Sequence, residues 1–137
     1  MEQTTSHLLV QVCRAHRNKA GELLAAHDLH PGQEFLLYNL WSSDGLTQSE
    51  LAERLCVQPA TLTRMVDRME KGGWVLRRPD SDDQRVSRIY LTEAGRALEG
   101  PVCGVWSRLE VATAANMTVE ERLLLNRLLM QVLDNLS

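Results

Sequence analysis

The segment "PATLTRMVDRMEK", residues 59 to 71, carries the side chains best suited to chemistry. Leu62, Met65, Val66 and Met69 recur at helical spacing and form one apolar stripe. That leaves Pro59, Ala60, Thr61, Thr63, Arg64, Arg68 and Lys71 facing outward, with Gln58 just ahead. A guanidinium can grip a guanine edge or a phosphate. A threonine can offer its hydroxyl to a base or its methyl to a thymine methyl. Farther along, Arg85 and Arg88 follow a polar turn, "DSDDQ". An arginine just past such a turn can enter a narrow minor groove, where negative potential concentrates. Any one of these residues alone reads as a solvated surface charge. The constellation points to a nucleic-acid groove.

The elements that position these residues follow from local signals. Residues 7 to 27 read as a first helix, with Leu9, Val12, His16, Ala20, Leu23 and His27 on one face. Pro31 suits the first turn of a second helix, which runs to about Ser43. Thr47 and Glu50 make a capping box for a short third helix over 48 to 55, and Pro59 opens the fourth. Gly72-Gly73 stops it. "WVLRRP" and "RVSRIYL" then read as a β-hairpin around "DSDDQ". Thr92 caps a helix to about Ala115, which Gly100-Pro101 should kink or break, because Pro101 lacks an N–H and crowds the Ala97 carbonyl. Thr118 and Glu121 cap a last helix that reaches about Asn135. Two short helices joined by a tight turn form a helix-turn-helix, and the hairpin makes it winged. The fold class is mainly α, a winged helix-turn-helix with N- and C-terminal helices around it.

With 137 residues, 44% of them apolar, the chain suits one domain with a real core. No run approaches a membrane span, and the start resembles no signal peptide, so a cytoplasmic protein is expected. The net charge of −3 does not by itself favour DNA. Its distribution does: residues 54 to 88 hold eight Lys or Arg against five Asp or Glu, while the remainder is acidic. The local field at a contact matters more than the total.

Residues 119 to 136 carry leucines around more than one face of their helix. One apolar stripe suffices for a surface helix, so a second subunit is the expected cover.

"LTQSELAERLCVQPATLTRMVDRMEKGGWVLRR" followed by "DSDDQRVSRIYLTEAGRAL" resembles the MarR family of bacterial transcription regulators. "DLHPGQEFLLYNL" resembles the helix before the motif, and the wing's Asp-x-Arg stands as Asp83-Gln84-Arg85. The resemblance is close over 28 to 99 and covers the terminal helices in placement and character only. It implies a homodimeric repressor on a palindromic double-stranded DNA operator. Residues 30–91 would be the DNA-binding lobe, with 1–29 and 92–137 the dimerisation lobe. It implies Thr61, Thr63 and Arg64 on the recognition helix, Arg85 in the minor groove and Asp83 bracing the wing. It also implies release by a small aromatic or anionic effector bound between dimer helices and DNA lobe. His16, Arg17, Phe35 and Trp41 are the candidate pocket residues. The chain departs from the family at Cys56, where a glycine is common, and at Gly100-Pro101.

Three widely spaced cysteines, Cys13, Cys56 and Cys103, suit neither a disulfide framework nor a metal knuckle. Cys56 could switch the DNA-reading turn by oxidation, making a thiol-based repressor. The blander expectation is a small buried hydrophobe. His7, His16, His27 and His30 lack a ligand pattern, so no metal and no cofactor are expected. No catalytic triad, phosphate loop or paired carboxylate supports an enzyme. A protein-interaction dimer that never touches DNA is the other alternative.

Overall fold

The computed structural model describes residues 3–137. Seven helices and three short strands follow one another: α1 (Thr5–Ala25), α2 (Gln33–Ser42), β1 (Leu46–Thr47), α3 (Gln48–Leu55), α4 (Pro59–Lys71), β2 (Val75–Pro79), β3 (Ser87–Leu91), α5 (Glu93–Ala97), α6 (Glu99–Thr113) and α7 (Val119–Leu136). The sheet is antiparallel in the order β1-β3-β2. Leu46 pairs with Ile89, so the strand before α3 is stitched to the hairpin, whose own strands pair Val75 with Leu91. The two-residue strand β1 was too short to leave a periodic signal.

One core joins α2, α3, α4 and the sheet. Leu36, Leu37, Leu40, Leu51, Leu62, Val66, Met69 and Ile89 are fully buried in it. Leu62, Val66 and Met69 fix the rotation of α4, and Met65 packs half-buried beside them. Truncating a buried leucine such as Leu62 to alanine costs roughly 2–5 kcal/mol.

Helix starts follow their caps. Thr47 accepts the Glu50 N–H, Thr92 the Gly95 N–H and Thr118 the Glu121 N–H. The Thr118 N–H in turn donates to the Glu121 carboxylate at 2.9 Å, completing that box. Hydrogen bonding to the Thr118 backbone, and then to its side chain, holds the Glu121 carboxyl below its usual value.

Two expectations are corrected. Pro31 lies before α2, not in its first turn: Gly32, at φ 101°, is the N-cap. The expected break in the second half of the chain falls at Leu98, ahead of Gly100-Pro101. Ending α5 at Ala97 spares its carbonyl the missing Pro101 donor and puts Pro101 in the first turn of α6, where an N–H is not needed. The α1 face is only partly covered: Ala20 and Leu24 are buried, but Val12 is 58% exposed.

Helix α7 buries no residue, and Leu124, Leu128, Met130, Leu133 and Leu136 stand exposed along it. Among the described residues, no helix is long and apolar enough to cross a membrane.

Candidate nucleic-acid interface

Local chemistry sets the angle between α3 and α4. Thr47 starts α3, and Cys56 ends it in the left-handed conformation at φ 53° and ψ 43°. That conformation favours glycine, since a Cβ is strained there. The Cys56 N–H is satisfied by the Ala52 and Glu53 carbonyls. Contrary to the expectation of a buried hydrophobe, the Cys56 side chain is exposed, as are Cys13 and Cys103. The turn needs a residue that tolerates positive φ, and such a residue lies at the surface. Pro59 then occupies the first turn of α4, after Gln58 as N-cap.

Pro59, Ala60, Thr63, Arg64, Arg68 and Lys71 are exposed on α4, and Thr61 is half-buried. Arg64 Nη2 donates to Thr61 Oγ1 at 3.4 Å, so the two present a joint polar surface. The Thr63 hydroxyl is turned back to the Pro59 carbonyl at 3.0 Å and also accepts from Gln48 Nε2. Its methyl remains its free feature. Arg68 and Lys71 form no ion pair among the described residues. Both lie in the last turn of α4, where cations offset the helix dipole.

The wing tip is ordered by two aspartates. Asp80 Oδ2 accepts the N–H groups of Asp82 and Asp83. Asp83 Oδ1 accepts the Arg85 N–H and Nε at 3.1 Å, and Oδ2 accepts Arg85 Nη2 at 3.2 Å. The Arg85 side chain is nevertheless 91% exposed, so Asp83 aims it into solvent rather than burying it. The Arg85 hydrogen bonds hold the Asp83 carboxyl below its ordinary value.

Arg88, grouped in the sequence with Arg85, sits differently. Its Nη1 donates to the Gly45 carbonyl at 2.8 Å and its Nε to Asp80. This guanidinium is spent inside the wing's base, where it bridges β3 to the turn before β1. The Asp80 carboxyl is held below its usual range, first by Arg88 and then by the Asp83 N–H. Asp80 in turn raises the Arg88 guanidinium.

Sequence reasoning missed Arg77 and Asp80. Asp80 follows proline and precedes two further aspartates, a signature of a side chain capping its own turn. Arg77 carried no such signal, because its partners lie 7 to 29 residues away in sequence.

The four candidate pocket residues do not converge. Arg17 and Phe35 line a cleft of about 340 Å³ together with His30, Thr61, Met65 and Arg68, between the α1–α2 region and α4. Phe35 and Trp41 line a second, apolar hollow of about 250 Å³ with Tyr38 and Trp106. Trp41 Nε1 is tied to the Gly95 carbonyl at 2.9 Å. His16 borders neither; its ring lies 6.1 Å from that of Trp106. Among the described residues, no three His, Cys, Asp or Glu side chains are grouped to hold a metal.

The MarR family's sequence pattern matches residues 29–87. The transcriptional regulator TtmR of Methylorubrum extorquens (strain PA1) is 36% identical over 124 residues, 90% of this chain and 57% of TtmR. The uncharacterized regulator YwoH of Bacillus subtilis (strain 168) is 34% identical over 96 residues, 68% of this chain and 69% of YwoH. The chain thus spans little more than half the length of TtmR. A crystal structure of a mutant Escherichia coli MarR complexed with operator DNA superposes with a TM-score of 0.83 at 29% identity, covering 93% of this chain and 92% of that one.

Proposed function

The chain belongs to the MarR family, and from that premise we propose that it is a DNA-binding transcription regulator, a cytoplasmic repressor that grips a palindromic operator as a homodimer. The observation that carries this is the exposed, cationic outer face of α4 beside an Arg85 held out at the wing tip. α4 enters the major groove, where every base pair offers a distinct pattern. Arg64 and Thr61 read base edges, Arg68 and Lys71 meet phosphates, and Arg85 reaches the adjoining minor groove. The DNA-bound E. coli relative supports this docking.

The dimer rests on α7. A helix with no buried residue and a row of exposed leucines and methionine would leave a large apolar surface in water. A second copy covers it, and two recognition helices then address half-sites about one helical turn, ~34 Å, apart.

The effector is a small aromatic acid in the cleft between α1–α2 and α4. Arg17 and Arg68 supply the positive charge, Phe35 a flat apolar wall, and Thr61 and Met65 put the recognition helix itself on the rim. A ligand weakens DNA binding only if it favours the conformation that does not fit the operator. A gel shift with the protein's own upstream region tests the reading: retardation of that duplex and not of a scrambled one is expected. Equal or absent retardation favours the protein-interaction dimer instead.

A further inference from the structure

Arg77 leaves β2 and crosses to the helix-turn-helix. Its Nε donates to Gln48 Oε1 at 3.0 Å, its Nη1 to Glu70 Oε1 at 3.0 Å and its Nη2 to the Thr63 carbonyl at 3.1 Å. Nη2 also lies 2.7 Å from Asp67 Oδ1. The Arg77 backbone N–H donates to the other Glu70 oxygen at 3.2 Å. Gln48 closes the ring by donating to Thr63 Oγ1 at 3.3 Å. One planar guanidinium, rooted in the wing, therefore touches the first turn of α3 and the middle and end of α4. Its side chain is only 24% exposed.

We propose that Arg77 is a positioning residue for DNA recognition, locking the wing to α4 so that Arg85 and the α4 face meet one duplex at once. The proposal rests on the DNA-binding reading above. Two separate elements present the cations, and a duplex fixes the spacing between its grooves. At the hairpin's base, the Trp74 N–H bonds the Met69 carbonyl. Arg77 lies farther out along β2, so it stops the arm from pivoting about that base. The geometry needs a fork: an ammonium is a point donor on a flexible stem and cannot span Gln48, Thr63, Asp67 and Glu70 together. An isolated exposed ion pair contributes little. Here a half-buried cation satisfies four neighbours on two helices, which makes the arrangement a strut rather than a surface pair.

Asp67 and Glu70 give the proposal a distinctive sign. Both are acidic residues on a helix presented to phosphates. By charge alone, removing them strengthens DNA binding. If they hold the strut, removing them weakens it.

The test measures fluorescence anisotropy of a duplex carrying the upstream region, with the folded state of each variant checked by its thermal midpoint. Asp67→Ala/Glu70→Ala is expected to bind at least about fivefold more weakly than wild type, a coupling-sized effect. Arg77→Lys, which keeps the charge, is expected to weaken binding similarly. In the Arg77→Lys background, a further Arg85→Ala is expected to cost less than about twofold, because an unanchored wing no longer delivers Arg85. Tighter binding by the Asp67/Glu70 variant overturns the proposal, and so do losses from Arg77→Lys and Arg85→Ala that simply multiply. A wild-type protein that binds no duplex overturns the DNA-binding reading, and the strut with it. Normal wild-type binding with unchanged variants overturns the strut alone.

Discussion

The Asp80 carboxylate and the Arg88 guanidinium meet at the base of the wing, Oδ1 to Nε at 2.5 Å, while the same aspartate's other oxygen accepts two backbone N–H groups of the tip. One residue thus ties the wing's loop to its strand. Asp80→Ala should loosen the tip without unfolding the core. Trypsin is expected to cut after Arg85 and Arg88 faster than in wild type, at an unchanged thermal midpoint. Equal cleavage rates would show that the hairpin holds its shape without this pair.

The pH dependence of that pair has a definite sign. Arg88 and the Asp83 N–H depress the folded Asp80 carboxyl. Its contribution is therefore present above the ordinary aspartate value, ~3.9, and is lost as pH falls through the lower folded value. Wing protection against hydrogen exchange should be flat through neutral pH and fail only in acid. A loss centred near neutrality would contradict it.

Glu34 has the opposite sign. It is 3% exposed, and burial raises its carboxyl above the ordinary value, although the Gly32 N–H it accepts and the charge of Arg17 pull the other way. The folded state holds this proton more tightly than the unfolded one. Stability therefore declines as pH rises from the ordinary glutamate value, ~4.3, through the raised one. Glu34→Gln keeps an oxygen for Gly32 and removes the charge. It should raise the thermal midpoint at pH 7 to 8 and change little near pH 4. A lower midpoint at neutral pH would mean that the charge earns its place through Arg17.

Helix-turn-helix and wing were legible because their signals are local: Thr47, Pro59, Gly72-Gly73 and Thr92 each act within a few residues. The apolar stripe of α4 fixed which side chains could face outward, so Thr61, Arg64 and Arg68 could be named in advance. What escaped depends on partners distant in sequence. Arg88 has the same charge as Arg85, and only the Gly45 carbonyl and Asp80 distinguish their fates. The break at Leu98 was displaced from Pro101 because a proline's missing bond falls four residues upstream. Residue type alone nominates His16, Arg17, Phe35 and Trp41, and type cannot tell which side of Phe35 a cleft lies on.

Dimerisation through α7 should be sensitive to charge on its exposed face. Leu129→Glu/Leu133→Glu places two carboxylates where 45% and 65% of these side chains is exposed in one subunit. Light scattering after size exclusion is expected to give a monomer mass for the variant and a dimer mass for wild type. Dimers from both would mean that other helices carry the interface.

Effector choice separates a ligand switch from a thiol switch. Salicylate should weaken operator binding, and Cys13→Ser/Cys56→Ser/Cys103→Ser should respond as wild type does. Arg17→Ala should blunt the response, since it removes one of two guanidiniums from the cleft. A tenfold release corresponds to ~1.4 kcal/mol of preference for the free conformation. Release by peroxide that Cys56→Ser abolishes, with no effect of salicylate, would transfer the switch to the exposed turn cysteine.

The most direct measurement is a competition titration of wild type and Arg64→Ala on the upstream duplex and on a scrambled duplex of equal length, at one fixed salt concentration. Wild type should prefer the upstream duplex, and Arg64→Ala should lose roughly 1–3 kcal/mol of that preference, because a major-groove base contact distinguishes all four base pairs. Arg85→Ala should lower affinity for both with less effect on the difference between them. Equal binding of the two duplexes by wild type, or an Arg64→Ala loss identical on both, would contradict the account that α4 reads sequence.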